Sequence, residues 1–189
     1  HFLTMPKIIL AANTDWFIYN FRYALIHKLR EQGFDIVLLS PPGEFAGRLQ
    51  EAGFRWLPWM LNRRSVAPWM ELVSLLDLVR VYRREQPDLV HHHTIKAVMY
   101  GSLAAGWTSI PAVVNSISGR GYVFQGADWM ACATRAAISP LYRQVMQRAA
   151  SAVIFENQAD RQYFLEHGYI SPSRTWLIEG VGADPQRYA

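Results

Sequence analysis

A strand–helix–strand pattern between Asp88 and Phe124 restricts the fold of this chain more than any other feature of the sequence. It predicts a buried strand over Asp88–His91, a helix of small residues over Ala97–Trp107 and a second strand over Ala112–Ile117. In a parallel sheet, the polar turns that follow the two strands lie side by side at the carboxyl edge. Open α/β folds bind their ligands at that edge, so functional residues are expected there.

Short apolar runs alternate with helical segments along the rest of the chain. The other predicted strands are Lys7–Ala11, Asp35–Ser40, Phe54–Leu57, Ala152–Glu156 and Thr175–Ile178. The other predicted helices are Phe17–Gln32, a short helix ending at Ala52, Trp69–Arg84, Thr134–Ala150 and Gln158–His167. This alternation predicts right-handed crossovers and a doubly wound sheet. The predicted fold class is therefore α/β, a single Rossmann-like domain with a parallel sheet of about seven strands and helices on both faces.

Composition narrows the class of protein. With 51% hydrophobic and 18% charged residues among 189, the chain is predicted to fold as one globular domain. Its single cysteine, Cys132, excludes an intramolecular disulfide and a zinc site of the paired-cysteine kind, and favours a cytosolic compartment. No apolar run reaches the roughly 18 residues of a spanning helix, and Pro6 and Lys7 precede a strand directly, so neither a spanning helix nor a signal peptide is expected. The formal net charge of +4 suits nucleic acid, anionic lipid or phosphorylated ligands and does not choose among them.

The first strand–helix turn contains Asn13, Thr14 and Asp15. Turns at this position of an α/β fold cradle phosphate groups with backbone amides and the helix dipole, which predicts a phosphate or substrate contact. The glycine-rich sequence of a conventional dinucleotide site is absent, which argues against that class of ligand. Because Asn, Thr and Asp are also frequent helix N-caps, a purely structural capping role is the alternative interpretation.

Three consecutive histidines, His91, His92 and His93, follow the first strand of the central pattern. Alternate side chains of an extended segment share a face, so only His91 and His93 are expected to converge. No nearby pair of carboxylates completes a metal site, and contact with a polar ligand is favoured over metal binding. Lys96, at the start of the following helix, either faces a phosphate or is a solvated surface lysine.

The second turn of the central pattern contains Ser116, Ser118, Gly119, Arg120 and Gly121. Glycines that flank an arginine allow backbone amides and a guanidinium to approach one anion together, which suits a diphosphate. The alternative is an ordinary turn, because the same residue types also form turns that bind nothing.

Two segments combine basic and aromatic residues in a way that suits a membrane surface. Cations at lipid headgroups and aromatic rings in the interfacial region are typical of peripheral membrane contact. The residues are Arg63 and Arg64, beside Trp59 and Trp69, in one segment, and Tyr122, Phe124 and Trp129 in the predicted loop Gly121–Ala133. The alternative is a contact surface for another domain or subunit.

Five blocks, in order along nearly the whole chain, resemble those of family-four retaining glycosyltransferases of GT-B architecture. They are NTDWFIYNFR (Asn13–Arg22), DLVHHHTIKAVMYGSLAA (Asp88–Ala105), NSISGRGYVF (Asn115–Phe124), VIFENQADRQYFLEHG (Val153–Gly168) and EGVGADPQRY (Glu179–Tyr188). The resemblance is greatest to the bacterial branch that adds sugars to glycans linked to a polyprenyl diphosphate. Five blocks in the right order are more specific than any one of them.

In that family, two Rossmann-like domains face each other. The N-terminal domain holds the acceptor, and the C-terminal domain holds the nucleotide sugar through an E-x7-E motif. The resemblance implies that residues 1–189 are the acceptor-side N-terminal half of a GT-B enzyme and that the donor-binding domain is absent from this chain. The implied activity is transfer of a sugar, with a UDP-sugar as the expected donor, to a lipid-linked or cell-surface glycan. The chain alone is expected to be inactive.

The resemblance also assigns site residues by position. The first turn, Asn13–Trp16, would border the donor diphosphate and the acceptor, and Ser118–Gly121 would lie near the reacting sugar. The residues that would line the acceptor cleft are His91, Thr94 and Lys96. Many family members have a glycine pair in the first turn and a histidine near Ser118; this chain has neither, which argues against a histidine-assisted step at that position. No catalytic residue is therefore assigned, and neither a metal nor a covalently bound cofactor is expected.

The implied partners are the missing donor-binding domain, a lipid-linked glycan acceptor and the inner-membrane surface, with a cytoplasmic, peripheral location and no nucleic acid. Two other classes stay open. One is a non-enzymatic Rossmann-like module that binds a partner or a membrane. The other is half of a GT-B sugar-nucleotide epimerase, which would not need the aromatic membrane-facing surface. A reading frame that continues beyond Ala189 into a second α/β domain with paired glutamates would favour the transferase.

Overall fold

The computed structural model describes residues 5–62, 67–119, 124, 126–147 and 151–180 of the chain. The strands are β1 (Lys7–Ala12), β2 (Asp35–Ser40), β3 (Arg55–Pro58), β4 (Leu89–His93), β5 (Ala112–Ile117), β6 (Ser151–Phe155) and β7 (Thr175–Leu177). They form one sheet in the order β3-β2-β1-β4-β5-β6-β7, and every neighbouring pair is parallel. The predicted α/β class, with a doubly wound parallel sheet, is confirmed.

Helices connect the consecutive strands. They are α1 (Asp15–Phe21), α2 (Tyr23–Glu31), α3 (Ala46–Glu51), α4 (Pro68–Glu85), α5 (Ile95–Trp107), α6 (Trp129–Met146) and α7 (Gln158–Glu166), followed by a short 3₁₀ helix (Pro172–Arg174). The strand order runs outwards from β1 to β3 and then in the opposite direction from β4 to β7. Right-handed crossovers therefore put α1–α3 on one face of the sheet and α4–α7 on the other.

Alternate residues of the central strands fill two apolar layers, one on each face of the sheet. Ile8 and Leu10 of β1 pack in the same buried cluster as Ile26 of α2, whereas Ile9 packs in the cluster that contains Leu78 of α4. Because strands of this sheet are buried on both faces, they form continuous apolar runs in the sequence instead of alternating patterns.

Two predicted helices differ from the structure by more than a shift of one or two residues. The predicted helix Phe17–Gln32 is two helices, because the backbone of Arg22 leaves the helical region (φ −123°, ψ 4°) between α1 and α2. Helix α6 begins at Trp129 instead of Thr134, because Oδ1 of Asp128 accepts a hydrogen bond from the amide of Met130 (3.1 Å) and stabilises an earlier first turn.

The register of the central strands aligns the residues that precede the polar turns. Ala12 of β1 is opposite His93 of β4, and His93 is opposite Ser116 of β5. Because these strands are parallel, the turns that follow them lie next to one another at the carboxyl edge of the sheet. The expected juxtaposition of the polar turns is confirmed.

Candidate functional site

The first turn uses two polar side chains to begin helices. Thr14 is the N-cap of α1, and its Oγ1 accepts a hydrogen bond from the amide of Phe17 (3.1 Å). The buried carboxylate of Asp15 accepts hydrogen bonds from the amides of Phe45 (2.8 Å) and Ala46 (2.9 Å), and so it caps α3 from a neighbouring element. The capping interpretation is therefore confirmed for Thr14, while contact of this turn with a phosphate stays a prediction.

Trp16 is the most accessible member of the first turn. It is exposed, with its ring edge-on to Phe21 at a centroid distance of 5.2 Å, whereas Asn13 is half-buried, as Thr14 is. The ring of Trp16 is therefore available to a ligand that approaches the carboxyl edge.

His91 and His93 converge on one face of β4, as the alternation of a strand predicts. All three histidines lie within β4, which extends to His93, so their predicted position in the turn after the strand was wrong. Their ring centroids are 4.1 Å apart. Nε2 of His91 lies 2.8 Å from Oγ of Ser116 on β5. Nδ1 of His93 accepts a hydrogen bond from Nε of Arg22 (3.1 Å). Within the described part of the chain, no three His, Cys, Asp or Glu side chains are grouped so that they could hold a metal ion.

Arg22 and Glu156 belong to this cluster and were missed by the sequence analysis. Arg22 is buried at the junction of α1 and α2, and its Nη2 forms an ion pair with Oε1 of Glu156, which follows β6. Its Nη1 also donates to the carbonyl of Phe21 (3.0 Å). The available signal was the position of Glu156 directly after a buried strand, at the same edge of the sheet as His93.

Burial keeps the two histidines neutral. The pKa of His91 is lowered to about 3, mainly by loss of hydration and to a smaller extent by Arg22 and His92 nearby. The pKa of His93 is held well below its usual value by burial first, and then by His91 and Arg22. Both imidazoles are therefore uncharged near pH 7, and they act as hydrogen-bonding groups without carrying a positive charge.

His92 faces the opposite side of the sheet and has a structural role. Its Nε2 lies 2.8 Å from the hydroxyl of Tyr82, and its Nδ1 lies 2.8 Å from Oδ1 of Asn115. Burial lowers its pKa to about 4. Gly101 of α5 lies directly against the ring, since an added Cβ would lie 2.3 Å from Nε2. His92 thus links β4 to β5 through Asn115 and to α4 through Tyr82, and its ring packs against α5 at Gly101.

Thr94 and Lys96 lie at the start of α5. Thr94 has φ 76° and ψ 152°, a backbone conformation that costs a β-branched residue about 1–3 kcal/mol. Among the described residues, its buried Oγ1 has no hydrogen-bond partner. Nζ of Lys96 forms an ion pair with Glu71 of α4 (3.0 Å) and also donates to the carbonyl of Asn62 (3.0 Å). Lys96 is therefore held against α4, although its side chain remains partly exposed.

The second turn is described as far as Gly119. Oγ of Ser118 is buried and has no partner among the described residues, as is also true of Nε2 of His93. Gly119 has φ +144°, and a Cβ there would meet no atom within 4 Å. The predicted contacts of Arg120 and Gly121 lie outside the described residues.

The predicted membrane-contact residues are of three kinds: exposed, buried, and outside the described residues. Trp69 is 70% exposed and Trp129 is 77% exposed. Phe124 is only 3% exposed, because it packs against Tyr142 and Phe164 in the core beneath α6 and α7. Trp59 is only 1% exposed, because its indole nitrogen donates to the carbonyl of Ser74 in the core. The predictions that Phe124 and Trp59 contact a membrane were therefore wrong. The predicted residues that lie outside the described ranges are Arg63, Arg64 and Tyr122. In the part of the chain that the structure describes, no helix combines the length and apolar character needed to cross a bilayer.

Two bacterial transferases are similar to this chain in sequence. It is 23% identical over 171 residues to N,N'-diacetylbacillosaminyl-diphospho-undecaprenol alpha-1,3-N-acetylgalactosaminyltransferase of Campylobacter jejuni, covering 90% of this chain and 45% of that protein. It is also 23% identical over 129 residues to UDP-Gal:alpha-D-GlcNAc-diphosphoundecaprenol alpha-1,3-galactosyltransferase of Escherichia coli, covering 67% of this chain and 31% of that protein. The chain spans less than half the length of these curated relatives.

A solved structure and a family model complete the comparison. The crystal structure of MurG from Acinetobacter baumannii has the same fold, with a TM-score of 0.60 and 17% identity over 96% of this chain and 47% of that one. The model of the glycosyl transferase 4-like domain matches residues 21–179, which include β4, β5 and the polar turns that follow them. With most of its length matched, the chain belongs to the glycosyl transferase 4-like family.

Proposed function

We propose that this chain is the acceptor-binding domain of a retaining glycosyltransferase that moves a sugar from a nucleotide sugar to a lipid-linked glycan. The observation that carries the proposal is the family match over residues 21–179. The Campylobacter and Escherichia relatives are both named as transferases acting on sugars joined to undecaprenol through a diphosphate, which supports an acceptor of this kind. The family match also favours a transferase over an epimerase or a non-enzymatic module.

The proposed domain organisation rests on length. The chain covers 45% and 31% of the two relatives, which supports a second domain in the full-length protein. That domain would bind the nucleotide sugar, with a UDP-sugar as donor and no metal, and the reaction would occur between the two domains. Stabilisation of the charge on the leaving diphosphate would come mainly from the donor domain. This chain would bind and orient the acceptor.

The carboxyl edge of the sheet offers groups that suit a sugar diphosphate. Among the described residues no side chain caps the start of α5, so the positive end of its dipole favours an anion there. Lys96 brings a positive charge to the first turn of that helix, although it shares this charge with Glu71. Gly119 allows close approach of the backbone to a ligand. Asn13 and Ser118, from the turns on either side, add neutral polar groups. We expect the lipid diphosphate and its first sugar to lie across these turns.

Helix α4 carries the surface that we propose rests on the membrane. Four exposed apolar side chains recur at helical spacing along one face, which makes a continuous stripe. They are Trp69, Leu72, Val73 and Leu76. Two exposed arginines, Arg80 and Arg83, continue the same stripe towards the end of the helix. An apolar stripe followed by cations suits the boundary between acyl chains and anionic headgroups.

The position of this stripe relative to the edge supports peripheral binding to a membrane, which we propose is at its cytoplasmic face. Helix α4 runs antiparallel to the strands, so its first turn, with Trp69, lies towards the carboxyl edge of the sheet. A lipid whose diphosphate lies at that edge would then have its polyprenyl chain near the apolar end of the stripe. Trp129, at the start of α6, adds a second exposed ring.

A binding titration tests the proposal directly. The chain would be titrated with a short-chain polyprenyl-diphosphate N-acetylhexosamine and, in parallel, with UDP and a UDP-sugar. We expect saturable binding of the lipid-linked sugar and little binding of either nucleotide. Tight binding of UDP without a response to the lipid-linked sugar would instead assign the donor site to this chain and overturn the proposal.

A further inference from the structure

The hydrogen bond between Arg22 and His93 fixes the position of a proton. A guanidinium has only donors, so Nδ1 of His93 must accept the bond from Nε of Arg22 (3.1 Å) through its lone pair. A neutral imidazole carries one proton, and that proton must therefore lie on Nε2. His93 is fully buried, which disfavours the doubly protonated form.

Glu156 holds Arg22 in this position. The guanidinium is buried between the Glu156 carboxylate and the ring of Phe17, whose centroid is 4.9 Å from Cζ. A buried guanidinium without a counter-charge is strongly disfavoured, so the pair is expected to form as a unit. The chain of contacts thus runs from Glu156 after β6, through Arg22, to His93 at the end of β4.

The Nε2–H group that results is a donor without an acceptor. Among the described residues, Nε2 of His93 is buried and has no hydrogen-bond partner. Leaving a buried donor unpaired is costly, and most buried polar groups in native proteins have a partner in the protein or in an ordered water. A group without a protein partner is therefore a candidate contact for a ligand. His93 also lines a cavity of about 280 Å³, which provides space for such an acceptor.

The lining of this cavity indicates the chemistry of its occupant. Its polar groups are His91, His93 and Ser116, and its charged groups are Arg22 and Glu156, which neutralise each other. Aliphatic side chains such as Ile154 form much of the remainder. A wall with neutral hydrogen-bonding groups, apolar surface and no net charge fits the hydroxyls and C–H face of a sugar ring better than a phosphate.

We propose that His93 is a substrate contact whose Nε2–H donates to a hydroxyl oxygen of the acceptor sugar, and that Arg22 and Glu156 are positioning residues that fix its tautomer. The inference rests on the proposed function, because it takes the acceptor to be a sugar on a lipid diphosphate. It adds a neutral sugar subsite to the diphosphate contacts expected at the turns.

The tautomer is tested first, without any ligand. Two-dimensional ¹⁵N spectra of the histidine rings should give the Nε2–H pattern for His93 throughout the neutral pH range. The double variant with Arg22→Gln and Glu156→Gln keeps the site uncharged, and we expect it to give a mixture of tautomers. An Nδ1–H pattern in the unmodified protein would overturn the inference.

A matched pair of variants then separates ligand contact from structure. An Asn side chain can replace Nδ1 as an acceptor for Arg22, whereas a Gln side chain can replace Nε2–H as a donor. We expect His93→Asn to weaken binding of the lipid-diphosphate sugar about tenfold, and to change binding of the same lipid diphosphate without its sugar less than about twofold. His93→Gln should stay within about threefold of the unmodified protein for both probes.

The outcomes separate this inference from the proposed function. If the unmodified protein binds the sugar-bearing lipid and His93→Asn binds it equally well, His93 is a structural acceptor for Arg22 and only the inference fails. The inference also fails if both probes weaken equally, because the contact would then not be to the sugar. If the unmodified protein binds neither probe, the proposed function fails and the sugar contact fails with it.

Discussion

Arg55 and Glu85 form a bidentate ion pair, with Nη1 2.7 Å from Oε2 and Nη2 2.8 Å from Oε1. The Glu85 side chain, at the end of α4, is only 3% exposed, and Lys7 of β1 approaches the same carboxylate to 3.5 Å. The pair therefore ties the last turn of α4 to β3 and β1 at the amino edge of the sheet. This anchor lies opposite the ligand edge, where α4 begins.

Removing the charge of Glu85 should destabilise the fold. We expect Glu85→Gln to lower the free energy of unfolding by about 2–4 kcal/mol, because three cations, Lys7, Arg55 and Arg84 (Nε 3.0 Å from Oε1), lose a shared and buried carboxylate. Urea unfolding measures the effect. The control is Glu31→Gln, which breaks an exposed pair with Lys28 (3.2 Å) and should change stability by less than about 0.5 kcal/mol. Similar losses in the two variants would contradict the anchoring role.

Acid should unfold the protein because of its histidine triplet. Burial lowers the pKa of His91 to about 3 and of His92 to about 4, and it lowers that of His93 in the same direction. Below about pH 6.5 the unfolded chain binds protons at these residues that the folded chain does not, so stability falls as the pH falls towards the folded values. For three such groups, the free energy of unfolding changes by at most about 4 kcal/mol per pH unit.

Urea unfolding at several values between pH 7 and about 4.5 tests this dependence. His92→Gln should remove roughly a third of the slope, since one of the three groups is lost. Tyr82→Phe is the matched control, because it removes the hydrogen bond to His92 without removing a histidine, and it should lower stability with little change of slope. A stability that stays constant from pH 7 to pH 5 would contradict neutral burial of the triplet.

A methyl group added at Gly101 of α5 should disturb the hydrogen bonds of the His92 ring. The added Cβ would lie 2.3 Å from Nε2 of His92, and the ring is confined by Tyr82 and Asn115. We expect Gly101→Ala to destabilise the protein by about 1–3 kcal/mol, as overpacking of a core does. Gly47, also helical, has no atom within 4 Å of its Cβ position, so Gly47→Ala should be neutral or stabilising by up to about 1 kcal/mol. Thermal unfolding of the two variants provides the comparison.

The exposed stripe on α4 should determine binding to anionic vesicles. We expect Leu72→Ser combined with Leu76→Ser to reduce co-sedimentation with phosphatidylglycerol vesicles at least about fivefold, because two apolar contacts with the interface are lost. The stripe is exposed in the fold, so the melting temperature should change little. Trp107→Ala is the control, since Trp107 is exposed at the far end of α5, away from the stripe. Equal losses in both variants would contradict a specific membrane-facing surface.

Much of the fold could be predicted from local sequence because its strands are buried on both faces. Runs such as Ile36–Leu39 are apolar throughout, and glycines such as Gly33 and Gly53 mark the ends of the helices before the next strand. The position of the polar turns at one edge then follows from parallel pairing. The capping role of Thr14 was also predictable, because it depends on contacts within one turn.

The Arg22–Glu156 pair could not be predicted in the same way. The two residues are 134 positions apart in the sequence. They meet only because β6 lies two strands from β4 in the sheet and because both side chains lie on the face that α1 and α2 cover. Phe124 shows that a local sequence pattern can also lead to a wrong prediction. An aromatic residue between polar turns has the same local pattern whether it faces lipid or the core, and only the packing of Tyr142 and Phe164 decides between them.

The strand order has a consequence for self-association. The two shortest strands of the described sheet, β3 with four residues and β7 with three, occupy its edges. Strand β3 also ends in Pro58, which has no amide hydrogen to offer to an incoming strand. Short edges of this kind are poor templates for the addition of further strands, which protects the long apolar strands between them from amyloid-like growth.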